Sequence, residues 1–540
     1  MEFCAFGTAK SKRRSWFLKP SCRNSRPRFA SDTMSNRGPS RYAEETVNVT
    51  LSRRSWLGHV AGGAALLLSS EPGAPSVVAA EQLATEATAT LGRFLVISDF
   101  HLDPFLGLSR DQFMTLAAAP IAHWPQLLAG QPAPQYGTDS PLALVLSSLS
   151  DAKSRVPDPD FILLPGDFLA HGWPQKYDRL APVSHSQDPT AYHEFTTRVM
   201  TLVAARIREA FPRARVVPVL GNDDSYCGDY MIAPQSPFLQ MFAEVWEPLV
   251  FDSGNNGEQV GSQRGRNSET ALVSRRKFRE TASRGGYYSI RLPGLSRHRL
   301  IALNTVFFAP QYSNACGDPT ATPALDEFRW LEEMLAAAER DGESIWLLMH
   351  IPPGIDGFGT HRAGSPQPLW QPELTARFLQ LVKRYEKTIQ QAIAGHTHMD
   401  DFRLVRLDGR NVLLTKIVPA VSPIFGNNPG YQSFQYDRRD GRLINYGTYG
   451  LTLPVGPGAF AWQDEYEFTT AYPNLSLTAP SVAGLGAQIL NGGSDQKSFT
   501  RYYSVSGPPT PVSSQILGCA LLNTTVGEFV QCSAGVAGEK

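Results

Sequence analysis

Five short apolar runs along the chain each stop on polar residues. Phe94–Ile97 leads into Ser98-Asp99-Phe100-His101, Phe161–Leu164 into Pro165-Gly166-Asp167, and Val216–Leu220 into Gly221-Asn222-Asp223-Asp224. Ile345–Met349 stops on His350, and Ile393-Ala394 on Gly395-His396-Thr397-His398. Runs this short and this apolar predict buried strands. In an open α/β sheet, ligands sit in the crevice beyond the carboxyl ends of the strands, so these endings aim carboxylates, imidazoles and an amide at such a crevice. One Asp-x-His at a strand end is a common accident; five runs with their polar residues at the same end are not.

Between the runs, helical periodicity predicts crossover segments. Leu142–Ala152 reads as a helix, and Ala191–Ala210 places Phe195, Val199, Leu202, Val203 and Ile207 on one face. Strand, helix, strand is the βαβ unit of a mixed α/β fold. Pro323 opens another helix, with Leu325, Phe328, Leu331, Met334, Leu335 and Ala338 inward and Glu332, Glu333 and Glu339 outward. Gly285–Ile290 and His298–Thr305 predict an antiparallel pair, and Asp401–Leu414 and Arg439–Gly447 read as hairpin strands of a second sheet. Residues 254–284 are polar and without period, the pattern of a mobile surface insertion. The expected organisation is an N-terminal extension over 1–80, a catalytic-type domain over 81–450 and a small appended subdomain over 451–540.

Composition narrows the class. The chain has 540 residues, of which 42% are hydrophobic and 19% charged, enough for a full core and unlike a disordered chain. The net charge of +0 hides 12 Lys/Arg against 5 Asp/Glu in residues 1–80, leaving 38 of the 50 basic and 45 of the 50 acidic residues to the body. A mildly acidic body argues against nucleic acid as a partner, which needs a basic stripe. The basic head is expected to be an export signal: Ser52-Arg53-Arg54-Ser55-Trp56-Leu57 is a twin-arginine pattern, followed by apolar Val60–Leu68 and small Val78-Ala79-Ala80. The start is open between Met1 and Met34, since the segment from Met34 would itself make an ordinary signal peptide. No later run approaches 18 apolar residues, so stable membrane insertion is not expected, and the protein is placed in the periplasm or outside the cell. Beyond that signal stand Cys227, Cys316, Cys519 and Cys532. Three pairings exist; Cys227–Cys316 with Cys519–Cys532 is favoured, as staples rather than metal ligands.

Taken together, Asp-x-His, Gly-Asp, Gly-Asn-x-Asp, His and Gly-His-x-His resemble the calcineurin-like metallophosphoesterase family over Phe94–Arg406. Ser98-Asp99-Phe100-His101-Leu102-Asp103-Pro104, Gly285-Gly286-Tyr287-Tyr288, His350-Ile351-Pro352-Pro353 and Gly395-His396-Thr397-His398-Met399-Asp400-Asp401-Phe402 are similar to its acid sphingomyelinase-like branch, which includes endopolyphosphatase-like proteins. The resemblance implies a four-layer α/β/β/α sandwich. It implies that Asp99, His101, Asp167 and His398 bind one divalent metal, and Asp167, Asn222, His350 and His396 a second, with Asp167 bridging. Imidazoles, carboxylates and one amide suit Zn, Mn or Fe better than Mg or Ca. Two such ions about 3.5–4 Å apart hold a bridging hydroxide that attacks phosphorus in line.

One position departs from the family. Much of it reads Gly-Asn-His in the third motif, where the His contacts phosphate or protonates the leaving group; here that position is Asp223. His171, four residues after Asp167, is similar to a candidate general acid of the sphingomyelinase-like branch; the alternative is a loop histidine bonded to a backbone carbonyl. Asp223 stands as a candidate catalytic position, with a cap or ligand-orienting role favoured for Asp223 and Asp224, and similar supporting roles for Asp103 and Asp401. Tyr226, Tyr230, Tyr287, Phe307, Phe308 and Phe358 could rim the substrate, though core or surface packing is the favoured reading for most; His361 is the remaining histidine to watch. The resulting expectation is an exported two-metal phosphodiesterase acting on a small-molecule or lipid phosphate ester. Its rivals are a phosphomonoesterase or polyphosphate/nucleotide hydrolase on the same site, and a non-catalytic phosphate- or metal-binding protein.

Overall fold

The computed structural model describes residues 90–252, 264–456 and 459–537. The export signal expected in 1–80 lies outside the described residues. The strands in chain order are β1 (Leu91–Val96), β2 (Phe161–Leu164), β3 (Arg215–Pro218), β4 (Tyr288–Arg291), β5 (His298–Ala302), β6 (Ser344–Leu348), β7 (Ile355–Asp356), β8 (Gln367–Pro368), β9 (Ile389–Ala394), β10 (Asp401–Leu407), β11 (Arg410–Ile417), β12 (Gly430–Asp437), β13 (Leu443–Leu451) and β14 (Trp462–Glu467). They form two six-stranded sheets in the orders β14-β13-β12-β1-β2-β3 and β10-β11-β9-β6-β5-β4, with β7 and β8 as a small separate ribbon. Within the first, β1, β2 and β3 run parallel; within the second, β5, β6, β9 and β11 do.

Parallel alignment makes the polar endings coincide. Asp99 N donates to Gly166 O (3.0 Å) and His101 N to Asp167 O (2.9 Å), while Val219 N reaches Leu164 O (2.9 Å). In the second sheet Met349 N donates to Ile393 O (3.1 Å) and Gly395 N to His350 O (3.0 Å). All five predicted strands are present, and their carboxyl ends lie at one edge of a sandwich.

Aromatic side chains fill the space between the sheets. Phe94 of β1 lies 5.5 Å from the Trp346 ring of β6 and 4.8 Å from Phe161 of β2, and Phe161 lies 6.1 Å from Trp346. Helices Leu142–Arg155, Pro189–Ala210 and Pro237–Phe251 pack on one another and on β3. Helices Pro323–Asp341 and Pro372–Arg384 pack on β6 and β10. The result is the expected α/β/β/α arrangement. Both favoured cysteine pairs are present, with Cα–Cα distances of 6.2 Å for Cys227–Cys316 and 5.8 Å for Cys519–Cys532, ordinary disulfide spans. Such bonds suit an oxidising compartment outside the cytosol. No described helix is long and apolar enough to cross a membrane.

The structure departs from the periodicity reading in four places. Arg264–Gly285, inside the expected mobile insertion, is a helix; residues 253–263 lie outside the described residues. Its anchors are Phe278 and Ala282, buried one turn apart, with Phe278 4.7 Å from Tyr288 and 5.5 Å from Phe251. Arg275 and Arg279 pair with the buried Glu247. Two apolar anchors among the described side chains leave no readable period, and the neighbouring elements supply the rest.

The other departures concern partners and exposure. The strand read near Arg439–Gly447 is β13, which belongs to the first sheet and pairs with β12, a strand whose Tyr431, Phe434 and Tyr436 contacts are set only by tertiary packing. Leu325 points outward at 39% exposure because the helix turns its Phe328 and Leu331 side inward. Residues 451–540, expected as an appended subdomain, supply β14 and the helices Ala479–Asn491 and Ser514–Leu522, which pack on β11 and β10 within the same compact unit.

Trp346 is 1% exposed and sits where both sheets meet. Trp346→Ala is expected to cost about 3–5 kcal/mol, read as a lower urea midpoint with little change in slope.

Candidate metal centre

Five of the ligand-type residues predicted from the strand ends occupy strained backbone. Asp99, His101, Asp167, His396 and His398 have φ of 52°, 39°, 54°, 72° and 63°. Left-handed conformations of non-glycine residues cost on the order of 1–3 kcal/mol each and persist only where neighbours over-determine them. Asp224 does much of this. Its buried carboxylate accepts the backbone N–H groups of Gly221, Asp167 and Phe168 (each 2.9 Å) and of Leu169 (3.1 Å). Two glycines permit the close approach: a Cβ on Gly221 would stand 2.0 Å from Asp167 Oδ1, and one on Gly395 2.3 Å from Ser98 Oγ and 2.6 Å from Asp99 Oδ2.

The side chains converge in two groups that share Asp167. In the first, His101 Nε2 lies 3.1 Å from His398 Nε2 and 3.4 Å from Asp167 Oδ2, and His398 Nε2 lies 3.5 Å from Asp99 Oδ1. In the second, His350 Nε2 lies 3.1 Å from Asp167 Oδ2, 3.0 Å from Asn222 Oδ1 and 3.2 Å from His396 Nδ1. Every residue predicted as a metal ligand is therefore in this cluster.

The donor set fits divalent cations. Nδ1 of His101 donates to Leu169 O (2.9 Å) and Nδ1 of His350 to Pro165 O (2.8 Å), while Nδ1 of His398 faces Ser422 O (3.4 Å). Those bonds leave the Nε2 atom of each ring directed inward. Burial holds His101 and His398 well below the ordinary histidine value, and burial together with His350 holds His396 at about 3. Neutral imidazoles whose lone pairs face one another at 3.1 Å are the arrangement that a bound cation relieves. Burial would also lower His350, but the Asp167 charge and hydrogen bond carry it up to about 9. Burial would raise Asp167, yet His350 and His101 hold it far below the carboxylate range. Asp99 is pushed up to about 7 by burial.

Asn222 is aimed by its amide. Nδ2 donates to Asp229 Oδ1 (2.9 Å) and to Asp223 Oδ2 (3.1 Å), leaving Oδ1 facing His350. Asp223 thus orients Asn222, and its own backbone N–H binds Asp167 Oδ1 (2.9 Å). Burial, then Asp167 and Asp229, push the Asp223 carboxyl well above its usual range. Asp103 takes the Lys176 ammonium at 2.7 Å, and Asp401 pairs with the buried Arg403.

His171 is not bonded to a backbone carbonyl. Its Nδ1 binds Asp139 Oδ1 (2.8 Å), its ring stacks 4.0 Å from His101, and its Nε2 lies 3.7 Å from Asp223 Oδ2. Burial alone would lower its pKa; the Asp139 hydrogen bond and charge raise it above the ordinary value. Asp139 is in turn held by Lys176. Sequence reasoning missed Asp139 and Asp229, because neither follows an apolar run: one ends a Pro-rich loop and the other follows Cys227-Gly228.

A cavity of about 250 Å³ opens over the cluster, its walls including Tyr230, Phe358, Arg362, Met399, Phe425 and Tyr503. Of the aromatics considered for a rim, Tyr230 and Phe358 line it. Tyr226 instead stacks on His193 (3.9 Å), Tyr287 on Trp330 (4.7 Å), and Phe307 and Phe308 are core. His361 lies on the exposed face of the helix Gly357–Ala363 and does not line the cavity.

The calcineurin-like phosphoesterase pattern matches residues 92–400, more than half of the chain. The chain belongs to the calcineurin-like phosphoesterase family. Its relatives include acid sphingomyelinase-like phosphodiesterase 3b of Homo sapiens, 30% identical over 472 residues that cover 83% of this chain and 91% of the relative. Cyclic GMP-AMP phosphodiesterase SMPDL3A of Homo sapiens is 26% identical over 466 residues, covering 82% and 90%. Sphingomyelinase phosphodiesterase D of Dictyostelium discoideum is 24% identical over 411 residues, covering 74% and 81%. As a calcineurin-like phosphoesterase the protein is a metal-dependent phosphoric ester hydrolase with a two-metal centre.

Gly395→Ala would drive a methyl into Asp99 and Ser98. Its expected effect is about 10–100-fold weaker metal retention, measured as metal equivalents by plasma emission, with thermal unfolding still cooperative.

Proposed function

We propose that the protein is an exported phosphodiesterase. Asp99, His101, Asp167 and His398 hold one ion and Asp167, Asn222, His350 and His396 the other, the nitrogen-rich donor set favouring Zn, Mn or Fe. The twin-arginine pattern at Arg53-Arg54 directs export to the periplasm or beyond. Two ions in this place supply Lewis acidity and lower the pKa of water. The chain's own groups then position and protonate.

The observation that carries the reading is the His171–Asp139 pair, with Asp139 buried and the His171 ring part-exposed beside the cluster. His171 borders both the cavity over the metal centre and a groove of about 590 Å³ lined by Leu106, Leu108, Arg179 and Ile424. A phosphorus at the cluster would thus have room for a substituent on each side of His171, as a diester requires. Water forms the new P–O bond and gives up one proton to solvent, the ester P–O bond opposite breaks, and His171 passes the proton on Nε2 to the departing oxygen, leaving a monoester, an alcohol and a neutral His171 that regains its proton from solvent. Asp139 keeps Nδ1–H bonded, so Nε2 is the nitrogen that gives up the proton. The named phosphodiesterase relatives support the same class.

The mature chain loaded with Zn²⁺ or Mn²⁺ is expected to hydrolyse bis-p-nitrophenyl phosphate in preference to p-nitrophenyl phosphate; the reverse order would transfer the reading to a phosphatase. Asn222→Ala should abolish both activities, and full activity in that variant would refute the ligand assignment.

His171→Ala is expected to slow esters of poor leaving groups by about 10²-fold or more and p-nitrophenyl esters much less. Equal losses would remove its acid role. Because the His171 pKa is raised, its proton persists above pH 6.5 and is lost only as pH rises through that higher value. Asp139→Asn should therefore move the alkaline fall in kcat on a poor leaving group to lower pH.

A further inference from the structure

The cavity over the metal centre contains two guanidinium groups with different commitments. Arg403 is buried and tied to Asp401 Oδ2 (2.5 Å) and to Ile355 O (3.1 Å). Arg362 is exposed, and no carboxylate is within ion-pair distance of it among the described residues. Its guanidinium instead rests over the Phe358 ring at 5.9 Å. The carboxylates lining the same cavity are otherwise engaged: Asp356 accepts Gly359 N–H (2.9 Å), Asp229 accepts the Asn222 amide, and Asp167 lies in the metal cluster. Phe425, 44% exposed, lies 6.5 Å from Phe358 and 4.7 Å from His398, so an apolar surface runs from the metal centre to Arg362.

The support beneath Arg362 is rigid. It lies on the helix Gly357–Ala363, capped at its start by Asp356 and at its end by Gly364 at φ 66°. Gly357 packs on Ile516, Leu517 and Val512, which belong to the C-terminal tail. The helix carrying Ile516 is joined to the next by Cys519–Cys532. The arginine is thus presented from a packed element and not from a free loop, so less ordering is required when it binds.

We infer that Arg362 is a specificity-determining residue which binds a second anionic group carried by the phosphodiester, past an apolar or aromatic portion that lies on Phe358 and Phe425. This rests on the phosphodiesterase reading and adds the class of ester selected: one bearing a further phosphate or carboxylate, in preference to one bearing a quaternary ammonium. A cationic head group in the same place would face Arg362 unscreened by a carboxylate partner. A phosphate there gains a charge-assisted, bidentate contact.

Two esters that share their leaving group test it. Thymidine 5′-(p-nitrophenyl phosphate) and its 3′-phosphorylated counterpart differ only in the second anion. With the metal-loaded full chain, kcat/KM is expected to be about fivefold or more higher for the 3′-phosphorylated ester at low salt, mainly through KM, and the ratio should shrink as NaCl rises. p-Nitrophenylphosphorylcholine should be the poorer substrate. Arg362→Ala should bring the ratio of the two thymidine esters close to one through KM, Arg362→Lys should restore part of it, and R362E should invert it. A wild-type ratio near one, or a ratio unchanged in Arg362→Ala, overturns the inference. If bis-p-nitrophenyl phosphate is still hydrolysed in that case, only the specificity assignment falls; if no diester is hydrolysed, both readings fall together.

Discussion

A single buried carboxylate, Asp167, is the point on which the architecture depends. It ends β2, and its Oδ2 lies 3.4 Å from His101 and 3.1 Å from His350, residues that end strands of two different sheets. A charge in that position is unfavourable unless it is compensated. The compensation comes first from His350, delivered by β6, with His101 from β1 beside it, so the two sheets must face each other with their carboxyl ends in register. The Phe94, Phe161 and Trp346 cluster behind the site makes that alignment the packed one. Core packing and ligand placement are therefore one constraint seen from two ends.

The strain at the site is distributed in the same way. Five of the clustering residues adopt left-handed backbone, and each follows a strand whose hydrogen bonds cannot shift without breaking a sheet. Asp224 converts that strain into position: four N–H groups around one carboxylate fix the loop that carries Asp167 and the carbonyl of Leu169, and that carbonyl orients His101. At Asp223, where the family often has histidine, the side chain turns toward the Asn222 amide, and the neighbouring imidazole is supplied by His171 from the loop after β2. His171 and the Asn222 amide are thus held from adjacent loops.

Around this family core, the chain from residue 401 onward shapes the approach. The C-terminal helices cover β10 and β11 and also brace the helix that bears Phe358 and Arg362. Tyr503 and Val512 enter the cavity wall directly. Residues beyond the matched family pattern therefore complete the wall around the metal centre, while the centre itself and most of that wall lie within it.

How much was legible follows from these distances along the chain. The apolar runs that end at Asp99, Asp167, Asn222, His350 and His396 announced both the strands and the cluster, because a buried strand and its polar end are written in consecutive residues. Helices with many anchors, such as Pro189–Ala210, were legible for the same reason. Arg264–Gly285 was not, since Phe278 and Ala282 are its described buried anchors and their partners Phe251 and Tyr288 lie in other elements. The sheet to which β13 belongs was decided by its pairing with β12, a choice that strand periodicity does not encode. Asp139 reaches His171 from 32 residues away, and Asp229 reaches Asn222 around the Cys227 turn. Sequence by itself determined the metal-ligand types and the strands that end on them, because those are local patterns. Tertiary structure alone decided which carboxylates orient Asn222 and His171 and which arginine at the rim lacks a carboxylate partner among the described residues, because those depend on loops that meet only after the sheets have packed.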